Sequence, residues 1–169
     1  KYYPRNPVGK WQKEFRTQNG KLMKKGDPLT EQEYSKHSLR TKAKFKAMND
    51  NDGKIPSEYK TKKFAQRRLP PEWGNQGPTI TITSLPDDFV HYEQDRTPTV
   101  RECARMQTFP DWYKFSGKRT TGGIRRAGNP RQKINTREVP KYTQIGNAVP
   151  VKLAKSIGLH FSLIINKKV

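Results

Sequence analysis

Cys103 is the residue of this sequence whose side chain has the greatest potential for covalent chemistry. It is the only cysteine, so neither an internal disulfide nor a cysteine-based zinc cluster can form. A thiol is a nucleophile where its surroundings favour the thiolate, and a thiol buried on an apolar helix face is normally inert. Cys103 falls on the apolar face of a predicted helix, beside Val100, Ala104 and Met106. We therefore expect a structural cysteine and no metal site.

Positive charge dominates the composition and predicts binding to a polyanion. The 169 residues carry a formal net charge of +20. Residues 1–70 carry a net charge of +12, residues 71–116 one of −3, and residues 117–169 one of +11. Charge of this size attracts nucleic acid and releases its counterions. The alternative is a basic surface that serves solubility alone. We expect the packed core in the nearly neutral centre.

Several side chains have the chemistry needed to hold a DNA backbone. Residues 78–83 alternate threonine and isoleucine, the pattern of a half-buried strand with its hydroxyl groups on one face. Hydroxyl and cationic groups are common ligands of phosphate oxygens. The predicted DNA-contacting side chains are Thr79, Thr81, Arg67, Arg68 and Lys42. A merely structural strand and a solvated basic helix face remain the alternatives.

The helix that carries Lys42 is predicted to begin at Thr30 and to end near Met48. A Thr-x-x-Glu capping box at Thr30 and a hydrophobic staple between Leu29 and Tyr34 indicate its start. The predicted apolar stripe consists of Leu39, Ala43 and Ala47, with Phe45 beside it. Such a helix packs by one face and presents its lysines from the other.

The segments on either side of this helix are predicted to be irregular. Residues 1–28 interleave aromatic and basic side chains among prolines and glycines, which suits stacking on bases. Equally, Tyr2, Tyr3 and Trp11 could pin this segment to a core, and the sequence does not decide between the two interpretations. Residues 49–59 have the composition of a turn and loop.

Two further helices are predicted in the second half of the chain. Thr99 and Glu102 form a capping box, and the Phe-Pro-Asp-Trp sequence at 109–112 ends the helix that follows it. Residues 116–133 are glycine-rich and basic, which predicts a mobile loop. The last helix is predicted to begin near Pro150. Its apolar stripe consists of Leu153, Ala154, Ile157, Phe161, Ile164 and Ile165.

Two stretches resemble motifs of the DNA cytosine-5 methyltransferases. RTPTVRECARMQTFPDWYKFSG (96–117) is similar to motif IX of that family, and YTQIGNAVPVKLAKSIG (142–158) to its motif X. Their order and separation also match. RRLPPEWGNQGPTITITSLPDDFVH (67–91) resembles the stretch that joins the target-recognition domain to motif IX. The resemblance thus covers roughly residues 67–160, and residues 1–66 match only by position.

The resemblance implies roles for particular residues. Motif X forms a wall of the S-adenosylmethionine pocket in this family, which implies cofactor contacts at Asn147, Ala148 and Val149. From the residues alone, Gly-Asn before a proline would be an ordinary turn. Motif IX braces the recognition region against the catalytic domain. That role is implied here for Arg101, Glu102 and Arg105, and Arg105 could pair with either a carboxylate or a phosphate.

The chain departs from the family by lacking its catalytic motifs. The sequence contains no Phe-x-Gly-x-Gly loop, no Pro-Cys-Gln nucleophile and no Glu-Asn-Val motif, and Gln-Arg-Arg at 66–68 lacks the alternation of the family's Gln-x-Arg-x-Arg strand. The family's reaction adds a cysteine thiolate to a flipped-out cytosine before methyl transfer. We therefore expect no catalytic residue in this chain, and no activity from it alone.

The expected fold is an α+β fragment in two parts. Residues 1–95 would form a small, irregular target-recognition region that binds duplex DNA. Residues 96–169 would carry the last helices of a doubly wound, Rossmann-like methyltransferase domain whose remainder is another polypeptide segment or subunit. Without that partner, we expect the last helix to self-associate or to be poorly ordered. A non-enzymatic DNA-binding module and a general nucleic-acid-coating protein are the alternatives.

The sequence also carries expectations about location. It shows no secretory signal, and no apolar run approaches the roughly 18–20 residues of a membrane span. We expect no membrane association, and a bacterial, cytoplasmic, nucleoid-associated protein.

Overall fold

Short helices and two-residue strands, joined by long irregular segments, make up the protein. The computed structural model describes residues 1–60, 66–72, 88–120 and 138–167. The helices are α1 (Lys10–Phe15), α2 (Leu39–Asp50), α3 (Val100–Met106), α4 (Lys141–Asn147) and α5 (Val151–Asn166). The strands are β1 (Thr17–Gln18), β2 (Lys21–Leu22), β3 (Arg67–Arg68) and β4 (Phe89–Val90), and a 3-10 turn spans Ser57–Tyr59. This mixture of helix and strand agrees with the α+β expectation at that level.

The N-terminal segment is more regular than predicted. It contains α1 and an antiparallel hairpin of β1 and β2, whereas the composition of residues 1–28 predicts an irregular segment. Asn19 and Gly20 form the hairpin turn, with φ values of +48° and +77°. Asn-Gly is the preferred pair for a two-residue turn that needs positive φ at both positions. Of the aromatic residues, Tyr3 is buried, whereas Tyr2 and Trp11 are largely exposed.

The start predicted for the long basic helix is wrong by nine residues. α2 begins at Leu39, and the Ser38 hydroxyl caps it by accepting a hydrogen bond from the Thr41 N–H at 3.2 Å. Residues 30–38 are not helical, and Glu31 has a φ of +61°. Their backbone packs along α3: the Glu31 carbonyl accepts from the Arg101 N–H at 3.0 Å. Tertiary contacts therefore override the local capping signal.

The buried face of α2 also differs from the predicted stripe. Leu39 is 85% exposed, whereas Phe45 and Met48 are fully buried. They form a small cluster with Val90 of β4, and Ile55 packs against it. Lys42 and Lys46 are exposed and Lys44 is half-buried, as expected for a helix that packs by one face only.

The main core joins the two strands β3 and β4 to helices α3 and α4. β3 and β4 are parallel, with Arg67 opposite Phe89 and Arg68 opposite Val90. The buried members of the core are Leu69, Phe89, Val100, Cys103, Ala104, Phe109, Phe115, Tyr142 and Ile145. Two stretches that are far apart in the sequence, 100–115 and 142–145, thus share one apolar centre.

Helix α3 forms as predicted. The Thr99 side chain accepts from the Glu102 N–H and the Glu102 carboxylate accepts from the Thr99 N–H, so both halves of the capping box are present. The helix ends at Met106, ahead of the Phe-Pro-Asp-Trp sequence. The predicted strand with Thr79 and Thr81 lies outside the described residues, as does the predicted loop beyond residue 120.

Helix α5 begins at Val151, with Pro150 as its N-cap, close to the predicted start. It has no buried residue, and its apolar side chains are exposed. Leu153, Ile157 and Ile164 lie on one side of the helix, while Leu159 and Leu163 lie on another. A helix that is apolar over so much of its circumference is normally covered by other structure.

Length and composition alone would allow one membrane-spanning stretch within the described residues, over Lys141–Asn166. This corrects the expectation that no apolar run approaches the length of a membrane span. However, residues 148–150 interrupt this stretch, and the 16 residues of α5 span only about 24 Å. A bilayer core is about 30 Å thick. Tyr142 and Ile145 of α4 are moreover fully buried in the protein core, so the part of this stretch that precedes residue 148 packs against protein.

Candidate functional site

Residues 147–149, which the family resemblance links to a cofactor, lie at the junction of α4 and α5. Asn147 is the last residue of α4, and Ala148 follows in an extended conformation with φ −79° and ψ 144°. Gly146 and Asn147 are therefore helical, and not the free turn that the residues alone suggested. Asn147 and Val149 are exposed, Val149 by 60%, whereas Ala148 packs against the main core. This junction thus presents an amide and an apolar side chain at the surface.

Helix α4, which the sequence interpretation missed, holds one end of this junction. Tyr142 and Ile145 are fully buried, and the Tyr142 hydroxyl donates to the Pro98 carbonyl at 2.8 Å. Burial raises the pKa of Tyr142 and keeps the hydroxyl protonated as a donor. The Gln144 amide also donates to the Ser116 carbonyl at 2.8 Å. These bonds fix α4 against the segments before and after α3.

The turn that follows α3 holds the other end of the junction. The Val151 N–H donates to the Gln107 carbonyl at 3.2 Å, and the Lys152 N–H donates to the Thr108 hydroxyl oxygen at 2.9 Å. The first N–H groups of a helix lack partners within the helix. Residues 107–108 therefore cap the start of α5 from another segment, because the side chain of Pro150 cannot accept a hydrogen bond.

The side chain of Lys152 connects this junction to the N-terminal segment. Its ammonium group pairs with the Glu14 carboxylate and lies 3.5 Å from the centroid of the Trp11 ring. Both partners belong to α1. An ammonium group over an indole ring is a favourable cation–π contact. The start of α5 is thus in contact with both α1 and the end of α3.

Arg101 is the most deeply buried cation in the described part of the chain. It is fully buried, and its guanidinium donates to the carbonyls of Pro110 at 3.1 Å and Tyr113 at 2.8 Å. It also donates to the Thr30 hydroxyl at 3.1 Å. Burial lowers the pKa of Arg101. One side chain therefore ties the segment before α2 to the loop after α3.

Glu102 forms a two-pronged ion pair with Arg96. The guanidinium nitrogens of Arg96 lie 2.8 Å from each carboxylate oxygen of Glu102. Burial would raise the pKa of Glu102, but hydrogen bonds from Arg96 and from the Thr99 backbone lower it to about 2. His91 lies nearby, and burial together with the Arg96 charge lowers the pKa of its imidazole. Glu102 is therefore ionised and His91 neutral near pH 7.

Arg105 pairs with a carboxylate, which is one of the two partners that the sequence left open. Its guanidinium donates to both oxygens of Asp111, at 2.8 and 2.6 Å. The Tyr3 hydroxyl donates to the same carboxylate at 2.6 Å. Burial, followed by the hydrogen bond to Asp111, raises the pKa of Tyr3. This cluster fixes the N-terminal segment to the end of α3.

The predicted DNA-contacting residues occupy different environments. Lys42 is exposed on α2, and Arg67 is exposed on β3 with its guanidinium 5.1 Å from the centroid of the Phe89 ring. Arg68 is held within the fold, because its guanidinium donates to the Tyr92 carbonyl at 3.0 Å and pairs with Asp52 at 3.2 Å. Lys42 and Arg67 are thus the more accessible of the three. The other two residues, Thr79 and Thr81, lie outside the described ranges.

Cys103 lies in the main core, on the face of α3 that the sequence predicted. Its side chain is buried, and desolvation strongly raises the pKa of the thiol. Both observations favour the neutral thiol over the reactive thiolate. Among the described residues, no cluster of three or more histidine, cysteine or acidic side chains could hold a metal ion.

An open cleft of about 450 Å³ lies between α1, α3 and the end of β4. Trp11, Phe15 and Tyr92 contribute aromatic surface to it. Its charged lining consists of Arg16, Glu102, Arg105 and Asp111. Arg105, Glu102 and Asp111 all belong to the ion pairs described above. None of residues 147–149 lines the cleft.

Sequence reasoning did not identify the residues that hold this junction in place. Thr108 and Gln107 cap α5, while Tyr142 anchors α4 through Pro98. Tyr142 could have been identified from the sequence, because it is an aromatic residue within the motif-like stretch at 142–158. No local pattern indicated Thr108, since its bond joins positions 44 residues apart.

Comparison with known proteins identifies relatives of this chain. The family model of the C-5 cytosine-specific DNA methylases matches residues 5–162. Type II methyltransferase M.AquIB of Picosynechococcus sp. is 33% identical over 125 residues, which cover 74% of this chain and 81% of that protein. Type II methyltransferase M.DdeI of Desulfomicrobium norvegicum is 37% identical over 101 residues, covering 60% of this chain and 21% of that protein.

Eukaryotic proteins are also similar to this chain. The share of the relative's length that the match covers differs widely from one relative to another. DNA (cytosine-5)-methyltransferase 1 of Mus musculus is 40% identical over 74 residues, which cover 44% of this chain and 3% of that protein. The chain thus spans about a fifth of M.DdeI and far less of the mouse protein. By contrast, it spans most of M.AquIB, which is therefore a chain of similar size.

Proposed function

Because the chain belongs to the C-5 cytosine-specific DNA methylase family, we propose that it is the C-terminal portion of a DNA cytosine-5 methyltransferase. The complete enzyme would transfer a methyl group from S-adenosylmethionine to C5 of a cytosine within a specific duplex sequence. This chain would contribute DNA recognition and one wall of the cofactor pocket. A bacterial restriction–modification setting in the cytoplasm fits the type II relatives.

The observation that carries this proposal is the packing of the two motif-like stretches into one unit. α3 and α4 share the main core, and the junction at 147–149 lies exposed at its edge. Asn147 offers a small amide that can donate and accept hydrogen bonds, and Val149 offers apolar surface. Such a pair suits a ligand with polar and apolar edges, as S-adenosylmethionine has. The remaining walls of the pocket would come from other polypeptide.

The chemistry of the reaction would be divided between this chain and its partner. Bound S-adenosylmethionine supplies the methyl group, while Asn147, Ala148 and Val149 would contact and orient that ligand. Cys103 is buried in the main core, so it would not act as the nucleophile toward a flipped-out base. We therefore propose that the chain alone is inactive and that the nucleophile is supplied by the polypeptide that carries the Pro-Cys-Gln motif.

DNA contacts are proposed for the basic first part of the chain. Lys42 and Arg67 are exposed, and lysine and arginine side chains commonly hold phosphate groups. Thr79, Thr81 and Arg68 remain candidates from the sequence, although the guanidinium of Arg68 already has protein partners. Which side chains reach base edges would depend on the loops between these positions.

Arg101, Glu102 and Arg105 are proposed to brace the recognition region against the cofactor wall. Their bonds connect residues 3–32 with residues 96–113: Arg101 reaches Thr30, and Glu102 accepts from Gln32 at 3.2 Å. Arg105 shares the Asp111 carboxylate with a tyrosine from the N-terminal segment. Each group is satisfied by protein atoms, which favours a structural role over contact with substrate.

The partner of α5 is proposed to be the catalytic polypeptide of the same enzyme. The exposed apolar surface of α5 needs cover, and a Rossmann-like domain packs helices against both faces of its sheet. M.AquIB shows that a methyltransferase chain of this size occurs in the family. A two-chain enzyme would therefore bring α5 and the cofactor wall to the catalytic domain by association.

Reconstitution tests this proposal directly. The chain is mixed with the polypeptide encoded beside it that carries the Pro-Cys-Gln and Phe-x-Gly-x-Gly motifs, in the presence of duplex DNA and radiolabelled S-adenosylmethionine. Label should enter cytosine only when both polypeptides are present. Methyl transfer by this chain alone would contradict the proposal. If no polypeptide with these two motifs is encoded beside this chain, the alternative of a non-enzymatic DNA-binding module is favoured.

A further inference from the structure

Helix α3 ends in a turn that normally requires glycine. The Thr108 N–H donates to the Arg105 carbonyl and the Phe109 N–H donates to the Ala104 carbonyl, both at 2.9 Å. This pair of bonds defines a Schellman motif, in which the first residue beyond the cap adopts the left-handed conformation. Thr108 occupies that position with a φ of +60°. A β-branched residue is unfavourable there, so the local turn does not explain the presence of threonine.

The hydroxyl group of Thr108 explains why threonine, and not glycine, occupies this position. Its oxygen accepts the hydrogen bond from the Lys152 N–H, while the Gln107 carbonyl accepts that of Val151. α5 has no side-chain cap of its own, because its N-cap residue is Pro150. Glycine would end α3 equally well but could not cap α5. A single strained turn therefore both ends one helix and caps another.

We propose that Thr108 is a positioning residue for the cofactor wall at residues 147–149 and acts through the first turn of α5. The link between α4 and α5 is only three residues long, 148–150. Its α4 end is held by the buried Tyr142 and Ile145, and its α5 end by the turn at Thr108. The inference rests on the proposed role of this wall in binding S-adenosylmethionine.

Two substitutions separate this role from a contribution to stability. Thr108→Gly removes both the unfavourable backbone conformation and the capping hydroxyl, so it should not lower the thermal stability of the chain. In the reconstituted two-chain assembly, it should weaken S-adenosylmethionine binding in calorimetry by about fivefold, the effect of one lost helix cap. KM for the cofactor should rise while kcat at saturation is retained. Thr108→Ser keeps the hydroxyl and should restore the affinity.

Amide hydrogen exchange in the chain alone provides a readout that needs no cofactor. Exchange at Lys152 should be faster in Thr108→Gly and normal in Thr108→Ser. Asn19→Gly is the matched control, because it relieves a positive φ in the exposed hairpin turn, away from the junction. It should change neither the exchange at Lys152 nor the cofactor affinity.

The outcomes distinguish this inference from the proposed function. Unchanged cofactor affinity in Thr108→Gly, with the wild-type assembly binding S-adenosylmethionine, would overturn the role of Thr108 alone. Failure of Thr108→Ser to restore the affinity would overturn it as well. A wild-type assembly that does not bind the cofactor would overturn both the role of Thr108 and the proposed function.

Discussion

Arg101 is held in the protein interior by carbonyl groups and a hydroxyl, and within the described ranges its hydrogen-bond partners include no carboxylate. Replacing it with methionine would leave the carbonyls of Pro110 and Tyr113 without their donors. A buried polar group that loses its partner costs about 1–3 kcal/mol. Arg101→Met should therefore lower the free energy of unfolding by about 2–4 kcal/mol in urea denaturation.

The matched control for this prediction is Arg67→Met, at an arginine exposed on β3. Surface substitutions of this kind usually change stability by less than about 0.5 kcal/mol. Equal effects of the two substitutions would contradict the bracing role assigned to Arg101.

Glu102 makes the stability of the chain depend on pH in the acid range. Its carboxyl has a pKa of about 2 in the folded protein and an ordinary value of 4.5. Because the folded-state pKa is lowered, the stabilisation is complete above the ordinary value and is lost as the pH falls from 4.5 to about 2. The loss should be at most about 3 kcal/mol. Denaturation curves measured between pH 6 and 2 check this expectation.

His91 adds a separate dependence at higher pH. Its folded-state pKa lies below the ordinary value of 6.5, so stability should begin to fall as the pH drops through 6.5.

Glu102→Gln should remove the acid-range loss, whereas Glu58→Gln, at an exposed position, should leave the profile unchanged. An acid profile that is the same in Glu102→Gln and in the original chain would contradict the assignment.

At the scale of elements, local sequence patterns predicted a helix start correctly where the capping bonds form within a single turn. The capping box of α3 was predicted because Thr99 and Glu102 satisfy each other within one turn. The same pattern at Thr30 failed, because the backbone there forms hydrogen bonds with α3 and not with its own sequence neighbours. The Asn-Gly pair at 19–20 is typical of a hairpin turn. The irregular composition of the surrounding segment instead favoured the prediction of a loop.

The candidate site could be predicted only in part from the sequence. Motif resemblance selected residues 147–149, and the structure shows them at an exposed junction. It could not reveal the bonds that hold this junction, because those bonds join Thr108 to Lys152 and Tyr142 to Pro98 across long stretches of chain. Such pairings depend on the assembled core, and single-sequence patterns do not record them.

Helix α5 should be needed for association with the catalytic polypeptide and not for folding of this chain. Ile157 is half exposed on the apolar stripe, so Ile157→Glu should leave the unfolding curve unchanged. A charge in the centre of an apolar interface should weaken association at least about tenfold. Titration calorimetry against the catalytic polypeptide measures this.

Ser162→Glu is the matched control, because it adds the same charge on the polar side of α5, near Lys155 and Asn166. It should leave the association almost unchanged. Equal weakening by both substitutions would indicate a general charge effect, and would contradict specific docking through the apolar stripe.

At the scale of the whole molecule, the net charge of +20 should make DNA binding strongly dependent on salt. If about six phosphates are contacted, the logarithm of the binding constant should fall with the logarithm of salt concentration with a slope of about −5. Replacing Lys42 and Arg67 with glutamine should reduce the magnitude of this slope by about two. Fluorescence anisotropy with labelled duplex DNA measures the slopes.

Leu39→Gln provides the control for the helix surface, because Leu39 is 85% exposed on the same helix as Lys42 and carries no charge. Its slope should equal that of the original chain. A binding constant that does not change with salt would contradict electrostatic contact between this chain and the DNA backbone.

The affinity of the reconstituted two-chain assembly for S-adenosylmethionine tests the central claim most directly, when a bulky residue is placed in the cofactor wall. Val149→Trp should reduce that affinity at least about tenfold, since the indole would occupy space that the ligand needs. Val8→Trp, at a valine that is 82% exposed in the N-terminal segment, should leave the affinity unchanged. Equal affinities for the two variants and the original assembly would contradict the assignment of residues 147–149 to the cofactor pocket.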